Sequence, residues 1–285
     1  MRNPTTHQVT ALVEFLRRHR RLTVLSGAGC STGSGIPDYR DENGEWKHAQ
    51  PVQYADFVSS EMNRKRYWSR SFAGWERISG ARPNAAHRAI AALEHAGRVE
   101  CLITQNVDNL HYLAGSRQVI DLHGLLHRVR CLACGAISKR DSLQRKLRAL
   151  NPRWTGAPSA YLPDGDASLA HHEHDRFKVP SCSRCDGVLK PDVVFFGEPI
   201  PAERVQIAAE KLSQSDALLV VGSSLMVWSG YRFARNARAA GKPIAIVNRG
   251  TTRADKMSTC KIEADCAEVL QRTVRELDRA SVGNR

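Results

Sequence analysis

The amino-acid sequence predicts an α/β fold in which a parallel-sheet domain carries a smaller second domain formed by insertions. The first observation is that short β-rich runs alternate with helical segments along most of the chain. The second is that each run ends in small or polar residues, as expected where ligands bind beyond the carboxyl ends of parallel strands. The third is that two segments, 41–82 and 128–189, interrupt the alternation.

Five runs are predicted as strands of the sheet, and each leads into a segment that can contact a ligand. They are residues 22–25 before a glycine-rich turn, 100–104 before Gln105, 119–122 before His123, 217–221 before Gly222, and 243–247 before Asn248. Residues 84–95 have the periodicity of an amphipathic helix. The predicted Rossmann-like domain comprises residues 1–40, 83–127 and 190–285. The small domain combines a helical insertion, 41–82, with a zinc-binding module, 128–189.

The composition is that of an ordinary globular protein with an excess of positive charge. Apolar residues make up 42% of the 285 residues, and 42 Lys and Arg against 29 Asp and Glu give a net charge of +13. Such a charge suggests an anionic partner, whether nucleic acid, a membrane surface or a phosphate-bearing ligand. No run approaches the roughly 18 apolar residues of a membrane helix, and no signal-peptide cleavage site is evident. We expect a cytoplasmic, reducing environment, which disfavours disulfides.

The eight cysteines divide into two classes. Two CxxC pairs, each followed closely by glycine, are typical of a structural zinc site, with Cys131, Cys134, Cys182 and Cys185 as the four ligands. Four thiolates close the coordination sphere, so we expect one zinc ion with no catalytic role. The alternative is one redox CxxC beside a coincidental second pair. The remaining cysteines are single and are predicted to be packing residues.

The first glycine-rich turn departs from the pattern of ordinary dehydrogenases. Gly27, Gly29, Gly33 and Gly35 do not have the G-x-G-x-x-G spacing, and residues 34–54 contain no apolar strand that could end in a ribose-binding acid. Simple hydride transfer is therefore disfavoured. The glycines still allow the backbone to approach a pyrophosphate, and we expect a helix amino terminus after the turn to favour the anion.

Together these motifs resemble those of sirtuins, in the same order along nearly the whole chain. They are residues 27–40, 104–111, His123-Gly124, the paired CxxC motifs, 190–198, 222–225 and 246–248. Further details at residues 66–68, Trp75, 151–154, 163–166 and 229–233 are similar to the class II branch, and we expect a bacterial member. The branch also has a long segment between the two CxxC pairs.

The resemblance implies a protein lysine deacylase that consumes NAD. In that reaction the amide oxygen of an acylated lysine, carried by a protein or peptide, displaces nicotinamide and leaves an alkylimidate. A base then activates a ribose hydroxyl, and the products are O-acyl-ADP-ribose and free lysine. His123 matches the base, a role that suits an imidazole near neutrality. Asn106 and Asp108 match the polar pair that completes the catalytic set.

The same resemblance assigns the binding residues. The implied NAD contacts are Gly27, Ala28, Gly29, Asp38, Tyr39, Arg40, Gln105, Asn106, Asp108, Gly222, Ser223, Ser224, Asn248 and Cys266. Ile36 is expected to seal the pocket from water, and Arg40 to face phosphate. The substrate peptide is expected to lie as an added strand along Val193, Val194, Phe195, Phe196 and Gly197. Residues 193–196 taken alone predict a buried strand.

Several alternatives stay open at this point. An NAD-dependent protein ADP-ribosyltransferase would use the same pocket, and a zinc-ribbon nucleic-acid-binding module is suggested by the charge and by the basic run at residues 17–21. Nucleic acid is not expected as the primary ligand, and no membrane partner is expected. Tyr67 and Arg70 have the spacing of a pair that reads acidic acyl chains. Residues 151–174 are predicted as a long surface loop. The class II resemblance implies that a loop around residues 151–175 shapes the acyl channel and admits longer acyl groups.

Overall fold

The structure is a computed structural model and describes residues 4–47, 51–156, 158–162, 165–169 and 174–282. The first helix, α1 (Thr6–Arg18), begins at a capping box in which Thr5 and Gln8 exchange side-chain and backbone hydrogen bonds. Its apolar face, including Leu12 and Leu16, is fully buried against the sheet. Amphipathic spacing and a satisfied amino terminus therefore explain where this helix begins and which face it buries.

The centre of the molecule is a six-stranded parallel sheet in the order β11-β10-β9-β1-β2-β3. The strands are β1 (Leu22–Ser26), β2 (Val99–Thr104), β3 (Val119–Asp121), β9 (Ala217–Val221), β10 (Ile244–Val247) and β11 (Cys260–Ile262). The inner strands β1, β9 and β10 are buried at every residue, which their continuous apolar runs predict. The predicted α/β class is thus confirmed.

Helices cover both faces of this sheet. One face packs against α1, α4 (Ala85–His95) and α9 (Cys266–Val282), and the other against α7 (Ala202–Gln214) and α8 (Trp228–Ala239). A short helix, α5 (Leu110–Leu113), follows β2. The predicted helix over residues 84–95 is present, with Asn84 as its amino-terminal cap.

The two insertions build a smaller body beside the sheet. Its strands are β4 (Gly124–Cys131), β5 (Ile137–Lys139) and β8 (Leu189–Val193), paired antiparallel, and its helices are α2 (Tyr54–Ser59), α3 (Glu61–Gly80) and α6 (Arg140–Leu150). A core around Phe57, Trp68 and Phe177 holds these elements together. Strands β4 and β8 run through the predicted boundaries at 127/128 and 189/190, and the domain limits stay a prediction.

The segment predicted as a surface loop contains regular structure, so that prediction is wrong in part. Strands β6 (Pro158–Tyr161) and β7 (Ala167–Leu169) form an antiparallel hairpin there. His174 is buried, with its Nδ1 2.7 Å from Ser69 Oγ. Pro163, Asp164, His171, His172 and Glu173 lie outside the described residues. Among the helices that the structure describes, none is long and apolar enough to cross a membrane.

Candidate active site

A cavity of about 480 Å³ lies at the carboxyl ends of the parallel strands, between the sheet and the smaller body. Its wall contains every residue that the sequence assigned to NAD, together with His123 and the whole segment Val193 to Gly197. These residues are far apart along the chain. The residues that follow β1, β2, β3, β9 and β10 meet because parallel strands all end at the same edge of the sheet.

The glycine-rich turn does not lead into an α-helix, so the expected helix amino terminus is wrong. Two single 3₁₀ turns follow β1 instead, at Ala28–Cys30 and Thr32–Ser34. A Cβ on Gly29 would lie 2.9 Å from the carbonyl oxygen of Gly222, and a Cβ on Gly222 would lie 2.3 Å from the amide nitrogen of Cys30. The glycines therefore bring the turns after β1 and β9 into contact, in addition to lining the cavity.

Asn106 and Asp108 are held in fixed positions by hydrogen bonds. Asp108 accepts hydrogen bonds from the Ser31 hydroxyl at 2.6 Å and from the amide of Leu110 at 2.9 Å. The Asn106 amide group donates to the Gly27 carbonyl and to Ser31, both at 3.0 Å. Burial raises the pKa of Asp108, while the hydrogen bond from Ser31 opposes that rise. Ser31 thus connects the predicted pair, a role that sequence reasoning missed.

His123 follows β3 and has a partner at each ring nitrogen. Nδ1 lies 2.9 Å from the carbonyl oxygen of Gln105, and Nε2 lies 2.9 Å from the hydroxyl of Ser229 on α8. Burial lowers the pKa of His123 to about 4, the Gln105 carbonyl opposes this shift, and the charges of Arg204 and Arg232 add to it. The ring is therefore neutral at pH 7 and can accept a proton. In the sequence Ser229 stands out only as part of residues 229–233, which are similar to the class II branch, and nothing there indicates its contact with His123.

The segment after the glycine-rich turn forms the outer part of the wall. The Arg40 guanidinium stacks over Trp46, with its centre 4.0 Å from the ring centroid, and donates to the Gly44 carbonyl at 2.6 Å. Asp38 pairs with Lys47 at 2.6 Å. Arg40 thus stands in the cavity wall, where an anion could engage the rest of its guanidinium.

A second group of polar side chains lies beneath this wall. Cys30, His87 and His111 are all buried, and their potential ligand atoms lie within 4.8 Å of one another. His87 Nδ1 accepts the amide hydrogen of Asn84, and His111 Nε2 lies 2.8 Å from the Ser26 hydroxyl. Burial lowers the pKa of both histidines, that of His87 to about 4. With His87 Nε2 3.4 Å from the Ser31 hydroxyl, the group supports the turn that holds Asp108.

The four cysteines of the two CxxC pairs converge. Cys131 Sγ is 3.5 Å from Cys185 Sγ, Cys134 Sγ is 3.8 Å from Cys182 Sγ, and all four sulfurs lie within 4.8 Å of one another. Tetrahedral zinc with bonds of about 2.3 Å places its sulfurs about 3.8 Å apart. A Cβ on Gly187 would lie 2.8 Å from Cys131 Sγ, so only glycine leaves room for the cluster. The arrangement fits a structural zinc ion, and none of the eight cysteines forms a disulfide.

Two expectations about the acyl end of the cavity are not supported by the positions of the residues. Arg70 lies outside the wall, where it pairs with the buried Asp166 at 3.7 Å and donates to the Ala167 carbonyl. Tyr67 does line the cavity. The described residues of 151–175 lie outside the wall, and Gly165 of the hairpin packs behind it, against Ile78.

The basic run at residues 17–21, which spans the end of α1, makes contacts within the fold. The backbone amides of Arg20 and Arg21 donate to the carboxylate of Asp216 at 3.1 and 2.9 Å, and the Arg21 side chain pairs with the same group. Arg17 and Arg18 lie in the last turn of α1, where positive charge is favourable. This run is therefore explained by the helix end and by its junction with β1.

Comparison with known proteins agrees with these features. The Sir2 family model matches residues 27–229. NAD-dependent protein deacetylase 2 of Bradyrhizobium diazoefficiens is 55% identical over 91% of this chain and 95% of that protein. NAD-dependent protein lipoamidase sirtuin-4, mitochondrial, of Bos taurus is 47% identical over 92% and 84%. A solved structure described as "Sir2-p53 peptide-NAD+" superposes with a TM-score of 0.78 at 30% identity, over 94% of this chain and 98% of that one. This chain belongs to the Sir2 family.

Proposed function

We propose that this protein is an NAD-dependent protein lysine deacylase that releases nicotinamide, O-acyl-ADP-ribose and free lysine. The observation that carries the proposal is the placement of a neutral His123 in one cavity with Asn106 and Asp108. Curated relatives at 55% and 56% identity over 91% of this chain, from Bradyrhizobium diazoefficiens and Xanthomonas campestris, are named NAD-dependent protein deacetylases.

The residues of the cavity wall are suited to binding NAD and to the proton transfer that such a reaction needs. When bound, NAD supplies an electrophilic ribose carbon with nicotinamide as its leaving group. Asn106 and Asp108, pinned through Ser31, would orient the carboxamide and ribose at the strand ends. Gly27, Gly29, Gly222 and Ser223 would hold the pyrophosphate, Asn248 the second ribose and the backbone near Cys266 the adenine. His123 would take the proton of a ribose hydroxyl, since its ring is unprotonated at neutral pH.

The zinc ion implied by the family would act at a distance from this chemistry. Cys131, Cys134, Cys182 and Cys185 would hold it, and it would supply a cross-link between the turn after β4 and the turn before β8. Four thiolate ligands leave no open position for a water or a substrate.

The acylated peptide would lie along Val193 to Gly197, between the sheet and the smaller body. The backbone amide of Val194 donates a hydrogen bond to the carbonyl oxygen of His123 at 2.8 Å, so this bond fixes the position of the segment relative to His123. A solved relative described as "Sir2 bound to acetylated peptide" supports a peptide ligand. A strand added here would place its acyl-lysine beside His123.

We also infer that acyl groups longer than acetyl are accepted and that the protein belongs to the class II branch. Part of the cavity wall is apolar and includes Ile36, Tyr67, Ile78 and Leu126. The relative named lipoamidase, at 47% identity, supports both inferences. Turnover of acetyl-, glutaryl- and long-chain-acyl-lysine peptides tests them, and exclusive use of the acetyl peptide would contradict the first. A cytoplasmic location stays a prediction.

The deciding experiment measures NAD consumption and nicotinamide release with acyl-lysine peptides. We expect His123→Ala to lower product formation by about 10²- to 10⁴-fold, the usual contribution of a general base. The exposed His95 provides a matched control, and His95→Ala should remain active. Full deacylation by His123→Ala would contradict the mechanism. Mass analysis of the products separates the alternative, because an ADP-ribosyltransferase would leave the sugar on protein.

A further inference from the structure

We propose that Ser229 carries the proton from a ribose hydroxyl to His123, so that the base acts through a serine hydroxyl. The inference rests on the proposed deacylase function and adds a catalytic group to it. Ser229 lies in the first turn of α8 and lines the cavity beside His123.

The hydrogen bonds of His123 determine which ring nitrogen carries the hydrogen. The carbonyl oxygen of Gln105 can only accept, so Nδ1, 2.9 Å away, must be the protonated nitrogen. In the neutral ring Nε2 is then an acceptor. The Ser229 hydroxyl, 2.9 Å from Nε2, must donate to it. The lone pair that would act as the base is therefore already engaged by a serine hydroxyl.

The oxygen of Ser229 can accept a second hydrogen bond. Within the described part of the chain His123 is its one hydrogen-bond partner, so its lone pairs receive no donor. Ser229 is 8% exposed and faces the cavity. A ribose hydroxyl that enters this space can donate to the serine while the serine still donates to His123.

The transfer balances as a two-proton relay. The ribose O–H bond breaks and its proton passes to Ser229 Oγ, while the original Ser229 proton passes to Nε2 of His123. Ser229 is unchanged and His123 becomes an imidazolium. The electron pair left on the ribose oxygen forms a bond to the imidate carbon, and the C=N π pair of the imidate moves onto the lysine nitrogen. The positive charges of Arg204 on α7 and Arg232 on α8 both disfavour the imidazolium. The proton is therefore readily returned later in the reaction.

The test uses the full-length zinc-loaded protein and three substitutions. Ser229→Ala removes the hydroxyl, Ser229→Thr keeps it, and Ser213→Ala removes an exposed hydroxyl on α7 as the control. Two rates are measured with an acetyl-lysine peptide: exchange of labelled nicotinamide into NAD, which precedes the proton transfer, and formation of O-acetyl-ADP-ribose, which follows it. A third readout, ¹⁵N NMR of the His123 ring in the substrate-free protein, reports its tautomer without any turnover.

We expect Ser229→Ala to keep exchange within about threefold of wild type and to lower product formation by about 10- to 100-fold. Ser229→Thr should recover most of that loss, and Ser213→Ala should match wild type. NMR should show hydrogen on Nδ1 and a shift of Nε2 in Ser229→Ala. Unchanged product formation in Ser229→Ala, or a wild-type His123 with hydrogen on Nε2, overturns the relay. A wild-type protein with neither exchange nor product overturns the deacylase function itself.

Discussion

Removal from water shifts the pKa of two residues in the cavity wall, Asp108 and His123, in opposite directions. Burial disfavours the charged form of either group, so it raises the pKa of the carboxyl and lowers that of the imidazole. For Asp108 the hydrogen bonds from Ser31 and Leu110 partly restore the carboxylate. For His123 the nearby arginines push further toward the neutral ring. The cavity thus keeps its histidine in the form that accepts a proton.

This environment predicts the acid limb of the pH–rate profile. Because burial lowers the pKa of His123 to about 4, we expect kcat/KM for deacylation to stay level from pH 8 to about pH 5.5 and to fall below that. An exposed histidine would produce a fall centred near 6.5. Steady-state rates across this range check the prediction, with tryptophan fluorescence as the control for folding. An acid limb centred at 6.5 would show that the His123 ring is solvated in the free enzyme.

The hydrogen-bond partners of the predicted site residues were harder to predict than the site residues themselves. His123, Asn106 and Asp108 were identified because motifs surround them. Their partners Ser31 and Ser229 lie 77 and 106 residues from Asp108 and His123 respectively. Both serines lie within motifs, at residues 27–40 and 229–233, but a hydroxyl can bond to almost any polar neighbour, so the motifs do not indicate which side chain each serine contacts.

At the scale of elements, the turn after β1 and the turn after β9 depend on each other. Gly222 has φ = 59°, and a Cβ there would lie 2.3 Å from the backbone nitrogen of Cys30. Gly27 and Gly29 lie on the other side of this contact, where a Cβ on either would be 2.9 Å from the carbonyl oxygen of Gly222. Since backbone atoms cannot move aside as a flexible side chain can, the two turns must separate if a side chain is added.

Two glycine substitutions test this contact against backbone strain alone. Gly222→Ala and Gly241→Ala both place alanine at positive φ, but Gly241 has nothing within 4 Å of the added Cβ. We expect Gly241→Ala to lower the free energy of unfolding by about 1 kcal/mol. Gly222→Ala should cost roughly 3 kcal/mol or more and weaken NAD binding. Urea denaturation and calorimetric titration with NAD measure both effects, and equal losses would refute the steric explanation.

The zinc cluster can be tested with a matched pair of cysteines. Cys134→Ser removes one of the four sulfurs, whereas Cys260→Ser changes a half-buried cysteine outside the cluster. We expect zinc content by mass spectrometry to fall well below one ion per chain in Cys134→Ser, with an earlier thermal transition, because a structural ion contributes directly to folding. Cys260→Ser should keep its zinc. A full zinc content in Cys134→Ser would rule out a four-cysteine site.

For the whole molecule, buried histidines make stability depend on pH. The pKa of His87 and of His123 is about 4 in the folded protein and near 6.5 when unfolded, so the unfolded chain binds more protons between these values. Their stabilisation is present above pH 6.5 and is lost as pH falls toward 4. Burial lowers the pKa of His111 and adds to the loss. Burial also raises the pKa of Asp121 to about 6 and raises the pKa of Asp108. Both of these shifts oppose the loss of stability as the pH falls.

Burial lowers the pKa of His127 as well, so four histidines outweigh the two carboxyls, and we expect the free energy of unfolding to fall as the pH drops from 7. Urea denaturation at pH 7, 6 and 5 measures it. His87→Gln should flatten the dependence, whereas substitution of the exposed His95 by Gln should leave it unchanged. Stability that rises as the pH falls below 6.5 would contradict the buried, neutral state of these histidines.

The sequence by itself determined the α/β class, five strands of the sheet and the four cysteines that converge, because these depend on local spacing and on motifs. The role of His123 as the base was implied by the family resemblance and stays a prediction. Strand ends of a parallel sheet share one edge, so their polar residues could be expected to meet. Only the tertiary structure decided which side chains touch, that single 3₁₀ turns replace the expected helix, and that Arg70 pairs with Asp166. Such contacts join distant segments, and their geometry arises only when the elements pack.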